Sequence, residues 1–219
     1  MYLIHFPISL KFVPFEQKYP GEWVHPDDGK MVPDHGVTYE ETWHAMEDLV
    51  DKKLVKDIGV SNVMSSKIVD ILKYCRIKPS VLQIELHPFL TQRTLTRFVK
   101  EHCGMHIMGF STFGNASYIE LGMATKEDTP FLCDAITEPA KKYSKTPAQI
   151  CLRFQVQQGH VVIPKSSKEE RLRENMDIFD FELTSDEMEA IFALNKNKRY
   201  NDPGVFAEGA FGCFYPIYD

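Results

Sequence analysis

The chain has 219 residues, with 31 acidic against 25 basic side chains and a formal charge of −6. That sign is wrong for a nucleic-acid footprint or a polybasic membrane contact, and no apolar run reaches the roughly 20 residues needed to cross a bilayer. With 43% hydrophobic and 26% charged residues, the composition is that of a soluble globular protein able to bury one substantial core.

In chain order, Tyr2, Leu3 and Ile4 form the first apolar run and read as a buried strand. No basic residue precedes the run and prolines interrupt the stretch after it, so it does not read as a signal peptide. A Pro-, Gly- and charge-rich loop covers about residues 14–37, with His25 and His35 on its surface. Thr38 and Glu41 have capping-box spacing before Trp43, Met46 and Val50 at helical intervals. Residues 56–60 (KDIGV) read as the next strand, and Ile68, Ile71 and Leu72 mark its helix. The unit recurs: strand 81–85, then a helix with Leu95, Phe98 and Val99; strand 105–109, then helical patterning around Leu132, Ile136 and Ala140 and a second helix with Ile150 and Phe154. Residues 161–163 are the fifth strand. Ser167 with Glu170, and Thr184 with Glu187, have the spacing of caps for two last helices. Residues 199–219 are aromatic, Gly/Pro-rich and irregular in pattern.

Repeated βα units imply α/β architecture with a parallel sheet covered by helices. Periodicity alone leaves a barrel and an open doubly wound sheet both standing. Polar groups gather at C-terminal strand ends: His5, Ser61 and Asn62, Gln83 and Glu85, Ser111, Lys165 and Ser166. Barrels and open sheets both place sites on that edge. Neither GxGxxG nor a P-loop is present, so a nucleotide site here is not of the Rossmann kind. The five cysteines form no close pair and are odd in number, which reads as free thiols in a reducing cytoplasm. His102 and His106 are separated by Gly104 and a strand start, and lack an acidic partner, so they do not suggest a metal site.

Segments LIHFP (3–7), TWHAMEDLV (42–50), IGVSN (58–62), QIELHPF (83–89), GFSTFG (109–114), VVIPKSSKEERLREN (161–175) and RYNDP (199–203) together resemble the aldo-keto reductases, closest to the xylose reductase and aldose reductase branch. They lie in family order over essentially the whole chain. The resemblance implies a partial (β/α)8 TIM barrel, roughly strands 4 to 8, as a single incomplete domain: βα units over 1–198 and a substrate-loop tail over 199–219. It also implies NADPH, with NADH as an alternative, and a small carbonyl substrate such as an aldose.

On the same resemblance His5 matches the histidine that orients the substrate carbonyl, and Phe6 and Asn201 match substrate contacts. A plain turn explains Asn201 as well. Ser61, Asn62 and Gln83 match the trio on the nicotinamide carboxamide, an amide that needs both donors and acceptors. Phe110 takes the place of a ring that stacks on the nicotinamide, often Tyr; only a π-face is required. Ser111, Phe113 and Gly114 match the loop along the pyrophosphate, and Glu120 a carboxylate that reaches ribose hydroxyls. Lys165, Ser166 and Arg171 match the clamp on the adenosine 2′-phosphate, where a dianion calls for a point cation and a guanidinium fork. Glu174 and Asn175 match the pair facing adenine. Ser167 departs from the Asn of dual-cofactor relatives, which weighs against NADH.

The family's catalytic set is Asp, Tyr, Lys and His, the Tyr being a general acid tuned by the other charges. Only the histidine has a match here; Tyr2 and Tyr39 are not in equivalent positions. The three absent βα units correspond to roughly 90–100 residues, so the chain reads as N-terminally truncated. Strands too few to close an eight-stranded barrel leave bare edges open to self-association. Little turnover is expected of the chain alone. The alternative is a catalytically inactive dinucleotide-binding fragment that acts through partner chains.

Overall fold

A computed structural model of the protein describes residues 1–18, 24–25, 27–115, 118–119 and 122–218. Two compact units result: residues 1–80 with 202–219, and residues 81–201.

The first unit holds β1 (Tyr2–Ile4), α1 (Tyr39–Asp51), β2 (Ile58–Ser61) and α2 (Ser65–Tyr74), then α8 (Pro203–Phe206) and α9 (Glu208–Phe211). β1 and β2 pair in parallel, with Leu3 opposite Gly59. The first strand is not buried as the apolar run suggested: Tyr2 is 54% exposed, whereas every residue of β2 is buried. β1 is short and flanked on one side only by β2 among the strands of this unit, so its side chains are shielded less.

α1 starts where the spacing predicts. Thr38 Oγ1 accepts from the Glu41 N–H at 3.1 Å, and the Glu41 carboxylate accepts from the Thr38 N–H at 2.8 Å, closing a capping box. Trp43 is fully buried and donates its indole N–H to the Ile77 carbonyl. With Ile58, Val60, Ile68 and Ile71 it forms the apolar interior of this unit, each such side chain contributing about 1.5–3 kcal/mol by leaving water.

Glu47 is a charged residue buried in the same unit, 2% exposed. Its carboxylate accepts from the backbone N–H groups of Arg76 at 2.6 Å and Ile77 at 2.7 Å, and contacts His44 Nδ1 at 3.0 Å. It thereby closes the chain after α2 onto α1.

The second unit holds β3 (Val81–Glu85), α3 (Arg93–Phe98), a π-helical turn (Val99–Cys103), β4 (His106–Phe110), α4 (Asp134–Tyr143), α5 (Pro147–Gln157), β5 (Val161–Val162), α6 (Glu169–Met176) and α7 (Ser185–Phe192). β3 pairs in parallel with β4, Gln83 opposite Met108 and Glu85 opposite Phe110, and β4 pairs in parallel with β5. Ile136, Ala140, Ile150, Cys151, Phe154, Leu183 and Ile191 form one apolar cluster from α4, α5, α7 and the segment just before α7. Leu132, expected on the helix, is 68% exposed and sits in a 3-10 turn before it. Thr184 and Glu187 form the capping box expected for α7.

Ser167 and Glu170 do not cap α6, contrary to their spacing. The helix begins at Glu169 with Lys168 as its N-cap and without a capping side chain. The reason is local: the Ser166 hydroxyl accepts the Lys168 N–H at 3.2 Å, which turns the chain one residue before a Ser167 cap would form.

Burial raises the Glu47 pKa, but the hydrogen bonds from Ile77, His44 and Arg76 outweigh it and hold the group below its ordinary value of 4.5. A carboxylate depressed in the folded state stabilises fully above the unfolded pKa and loses that contribution as pH falls through the folded one. Glu47→Ala should cost about 1–3 kcal/mol, the penalty for stranding the two N–H groups. In Glu47→Gln the acid dependence of denaturant unfolding below pH 4.5 should flatten; identical acid profiles for variant and wild type would contradict this.

Candidate functional site

α5 and α6 make a cleft because one side chain ties them. Gln149, third residue of α5, donates its amide to the carbonyls of Glu174 at 3.1 Å and Asp177 at 2.8 Å. Its oxygen accepts from the Thr146 N–H in a capping box with Pro147 at the first helical position. Lys145 adds a fork to Asp177 at 2.7 Å and Asp180 at 2.8 Å.

The resulting cavity, about 810 Å³, is contained in the second unit. Phe113 and Phe131 supply an aromatic wall, their ring centroids 5.9 Å apart. Lys165, Ser166, Ser167 and Arg171 line it from the loop after β5 and the start of α6, and Glu174 and Asn175 follow one turn later. Thr146, Pro147 and Ala148 complete it from the first turn of α5, where backbone N–H groups carry partial positive charge.

The cations of this cleft stand out by having no ion-pair partner among the described residues. Arg173, on the same helix, is paired with Glu169 at 2.8 Å, and Lys141, Lys142 and Lys145 all have carboxylate partners. Among the described residues Lys165, Lys168 and Arg171 line the cleft without an ion-pair partner. In a chain with an excess of acidic groups, three cations against the single carboxylate of Glu174 on one concave surface suit an anionic ligand.

The other residues singled out in the sequence fall elsewhere. Gln83 lies in β3 beside Met108, with its amide nitrogen 3.0 Å from the sulfur. Phe110 ends β4, half-buried, and Ser111 follows with φ of 52°. Gly114 has φ of 74°, and a Cβ there would come within 3.3 Å of Pro130, so that turn needs a glycine. Ser111 Oγ lies 2.8 Å from the Tyr118 hydroxyl. The Asn201 Oδ1 is buried with no hydrogen-bond partner among the described residues. Glu120 lies outside the described residues.

In the first unit, His5 is exposed, packed at a tilt on Phe6 with centroids 4.7 Å apart, and partial burial holds its pKa below the ordinary 6.5. Phe6 is buried. Asn62, buried with φ of 57°, donates its amide to the His5 carbonyl at 2.9 Å and to Ser61 Oγ at 3.1 Å. Its Oδ1 accepts from the Tyr218 hydroxyl at 2.8 Å. Asn62 thus joins the end of β2 to the residue after β1, and a tail tyrosine sits on its acceptor.

Phe131, Thr146 to Ala148 and Lys168 join the cleft without having been expected there. Thr146, Pro147 and Gln149 carry a legible cap signal; Phe131 carries none, because only the tertiary packing brings it to Phe113. Tyr39 and Lys67 also come together, the ammonium 5.5 Å from the ring. Burial pushes the Tyr39 hydroxyl upward, the opposite of what a general acid working near neutrality needs.

The aldo/keto reductase family profile matches residues 3–196. The NAD(P)H-dependent D-xylose reductase of Aspergillus niger is 40% identical over 220 aligned positions, covering 100% of this chain and 66% of that protein. A probable NAD(P)H-dependent D-xylose reductase of Aspergillus flavus is 41% identical with the same coverage. Among solved structures, the aldose reductase from Schistosoma japonicum superposes with a TM-score of 0.76 at 34% identity, over 90% of this chain and 58% of that one. The chain belongs to the aldo/keto reductase family. Its parallel βα units are part of a (β/α)8 barrel, and it spans about two thirds of the length of these curated relatives, 66% in both. No helix among the described residues is long and apolar enough to cross a membrane.

If Tyr218 competes for the Asn62 acceptor with an incoming amide, Tyr218→Phe should tighten dinucleotide binding. One neutral hydrogen bond is worth about 0.5–1.5 kcal/mol, so a gain of about two- to tenfold in NADPH affinity by fluorescence titration is expected. An unchanged or weaker affinity would show that the hydroxyl does not compete.

Proposed function

We propose that this chain binds NADPH, with NADH as the weaker alternative, and serves the reduction of aldoses or small aldehydes and ketones to alcohols. The observation that carries this is the cleft of the second unit, where Lys165 and Arg171 lack acidic partners among the described residues beside an aromatic wall. A phosphate monoester dianion fits that donor set: a compact ammonium, a planar fork and the Ser166 hydroxyl. The residues present therefore fit the adenosine end of the cofactor. The relatives' names, D-xylose reductase and aldose reductase, support the substrate class.

When bound, the cofactor supplies the hydride that reaches the carbonyl carbon. The chain's own residues hold and orient. Glu174 and Asn175 would hold the adenine, Ser111, Phe113 and Gly114 the pyrophosphate, and Ser167 the 2′-phosphate. Ser61, Asn62 and Gln83 take the carboxamide, and Phe110 offers a π-face to the ring. His5, neutral near pH 7 because burial lowers its pKa, donates one N–H to a carbonyl oxygen. Phe6 and Asn201 would contact substrate. No residue of this chain is assigned as the proton donor, since Tyr39 is tuned the wrong way. The 219 residues are thus read as cofactor-holding machinery, with little turnover by themselves.

Lys165→Met combined with Arg171→Leu should weaken NADPH by tenfold or more per lost contact, since a charge-assisted hydrogen bond is worth about 1.5–3 kcal/mol. NADH, which lacks the 2′-phosphate, should change little. Equal losses for both cofactors in fluorescence titrations would sink the assignment.

A further inference from the structure

Glu85 is a fully buried carboxylate at the C-terminal end of β3, with no part in the cofactor and substrate contacts assigned so far. Both of its oxygens are engaged. Oε1 accepts from the Tyr200 N–H at 2.9 Å and lies 3.0 Å from His87 Nε2; Oε2 accepts from the Asn201 N–H at 2.9 Å. His87 is itself fully buried and packs its ring 5.3 Å from that of Tyr200. An ionised carboxylate only accepts, so His87 must present Nε2–H to it, which fixes the imidazole orientation.

The segment that ends at Asn201 is laid along residues 85–91 by further bonds. Thr91 N–H donates to Asn195 Oδ1 at 3.0 Å, and the Phe89 carbonyl accepts from the backbone N–H groups of Lys196 at 3.1 Å and Lys198 at 3.0 Å. Those contacts stop at residue 198. For the last two residues, the backbone grip is Glu85. The Tyr200 ring is then stacked on Tyr118 with centroids 5.4 Å apart, and its hydroxyl donates to the Asp128 carbonyl at 2.9 Å.

We propose that Glu85 is a positioning residue: its two carboxylate oxygens hold the backbone of Tyr200 and Asn201, so that the Asn201 side chain keeps the place in which it is read as a contact for a hydroxyl-bearing substrate. The proposal rests on the reading of Asn201 as a substrate contact and deepens it. A burial this complete is costly for a carboxylate unless several donors meet it, and a plain apolar residue would fill the same space. What only a carboxylate provides is two acceptors at once, aimed at two successive N–H groups. The amide of Glu85→Gln keeps the shape, but its NH2 opposes one of those donors, so one backbone bond is lost.

The test uses the 219-residue chain saturated with NADP⁺, followed by ¹⁵N NMR. In Glu85→Gln, amide hydrogen exchange at whichever of Tyr200 and Asn201 faces the new NH2 should accelerate tenfold or more while that at Lys196 and Lys198 stays as in wild type. Xylitol is the probe for the ligand. It should shift the Asn201 side-chain amide signal in wild type and lose that effect in Glu85→Gln, with NADP⁺ affinity unchanged within twofold, an outcome a general loss of structure would not produce. Unchanged exchange at Tyr200 and Asn201, or a xylitol shift as large in the variant as in wild type, would overturn the proposal. A wild-type Asn201 signal indifferent to xylitol would instead remove the substrate reading of Asn201 and with it the ligand half of the proposal, the exchange data still deciding the grip. If Glu85→Gln fails to fold, Glu85→Asp, which retains both oxygens on a shorter stem, takes its place: partial protection with a weakened xylitol shift supports the assignment, and full wild-type behaviour contradicts it.

Discussion

Parallel pairing in register is the constraint on which the second unit depends. Because Glu85 lies opposite Phe110 and Gly109 opposite Val162, the C-terminal ends of β3, β4 and β5 come out on one edge. The chain leaves each strand there and must satisfy its backbone groups by side chains, since no ladder continues. Glu85 does so for residues 200 and 201, and the Ser166 hydroxyl does so for Lys168. The side chains that stand at this edge therefore close loops that no strand partner reaches.

The electrostatics of the cleft depend on which cations are left unpaired around it. Surface ion pairs elsewhere in the unit, such as Arg93 with Glu189 and Arg97 with Glu101, contribute little stability each, but they neutralise their cations. Lys165, Lys168 and Arg171 are not neutralised by a described carboxylate. The first turn of α5 adds its N–H dipoles on the opposite wall.

Much of this is legible in the residues. The capping boxes at Thr38 and Thr184 form as their spacing indicates, because a hydroxyl and a carboxylate three residues apart can reach each other with no help from tertiary structure. The family segments point to Phe113, Lys165, Ser166, Ser167, Arg171, Glu174 and Asn175, and the structure brings all of them to one cleft. The Ser167 cap fails because a competing hydroxyl, Ser166, reaches the backbone first. Phe131 and the grip of Glu85 on residues more than a hundred positions away leave no local trace, since long-range packing is not encoded in periodicity. Asn62 reads from its motif as an amide ligand, and the structure also makes it a tie between strand ends and a perch for Tyr218.

The most direct test of the central claim, that the cleft is a site for a 2′-phosphorylated adenosine, is ³¹P NMR of 2′,5′-ADP titrated with the chain. The two phosphates resolve as separate signals. The account predicts that the 2′-phosphate signal moves and broadens first, and that its protonation midpoint falls because Lys165 and Arg171 favour the dianion. Movement of the 5′-phosphate signal alone, with the 2′-phosphate indifferent to the protein, would contradict it.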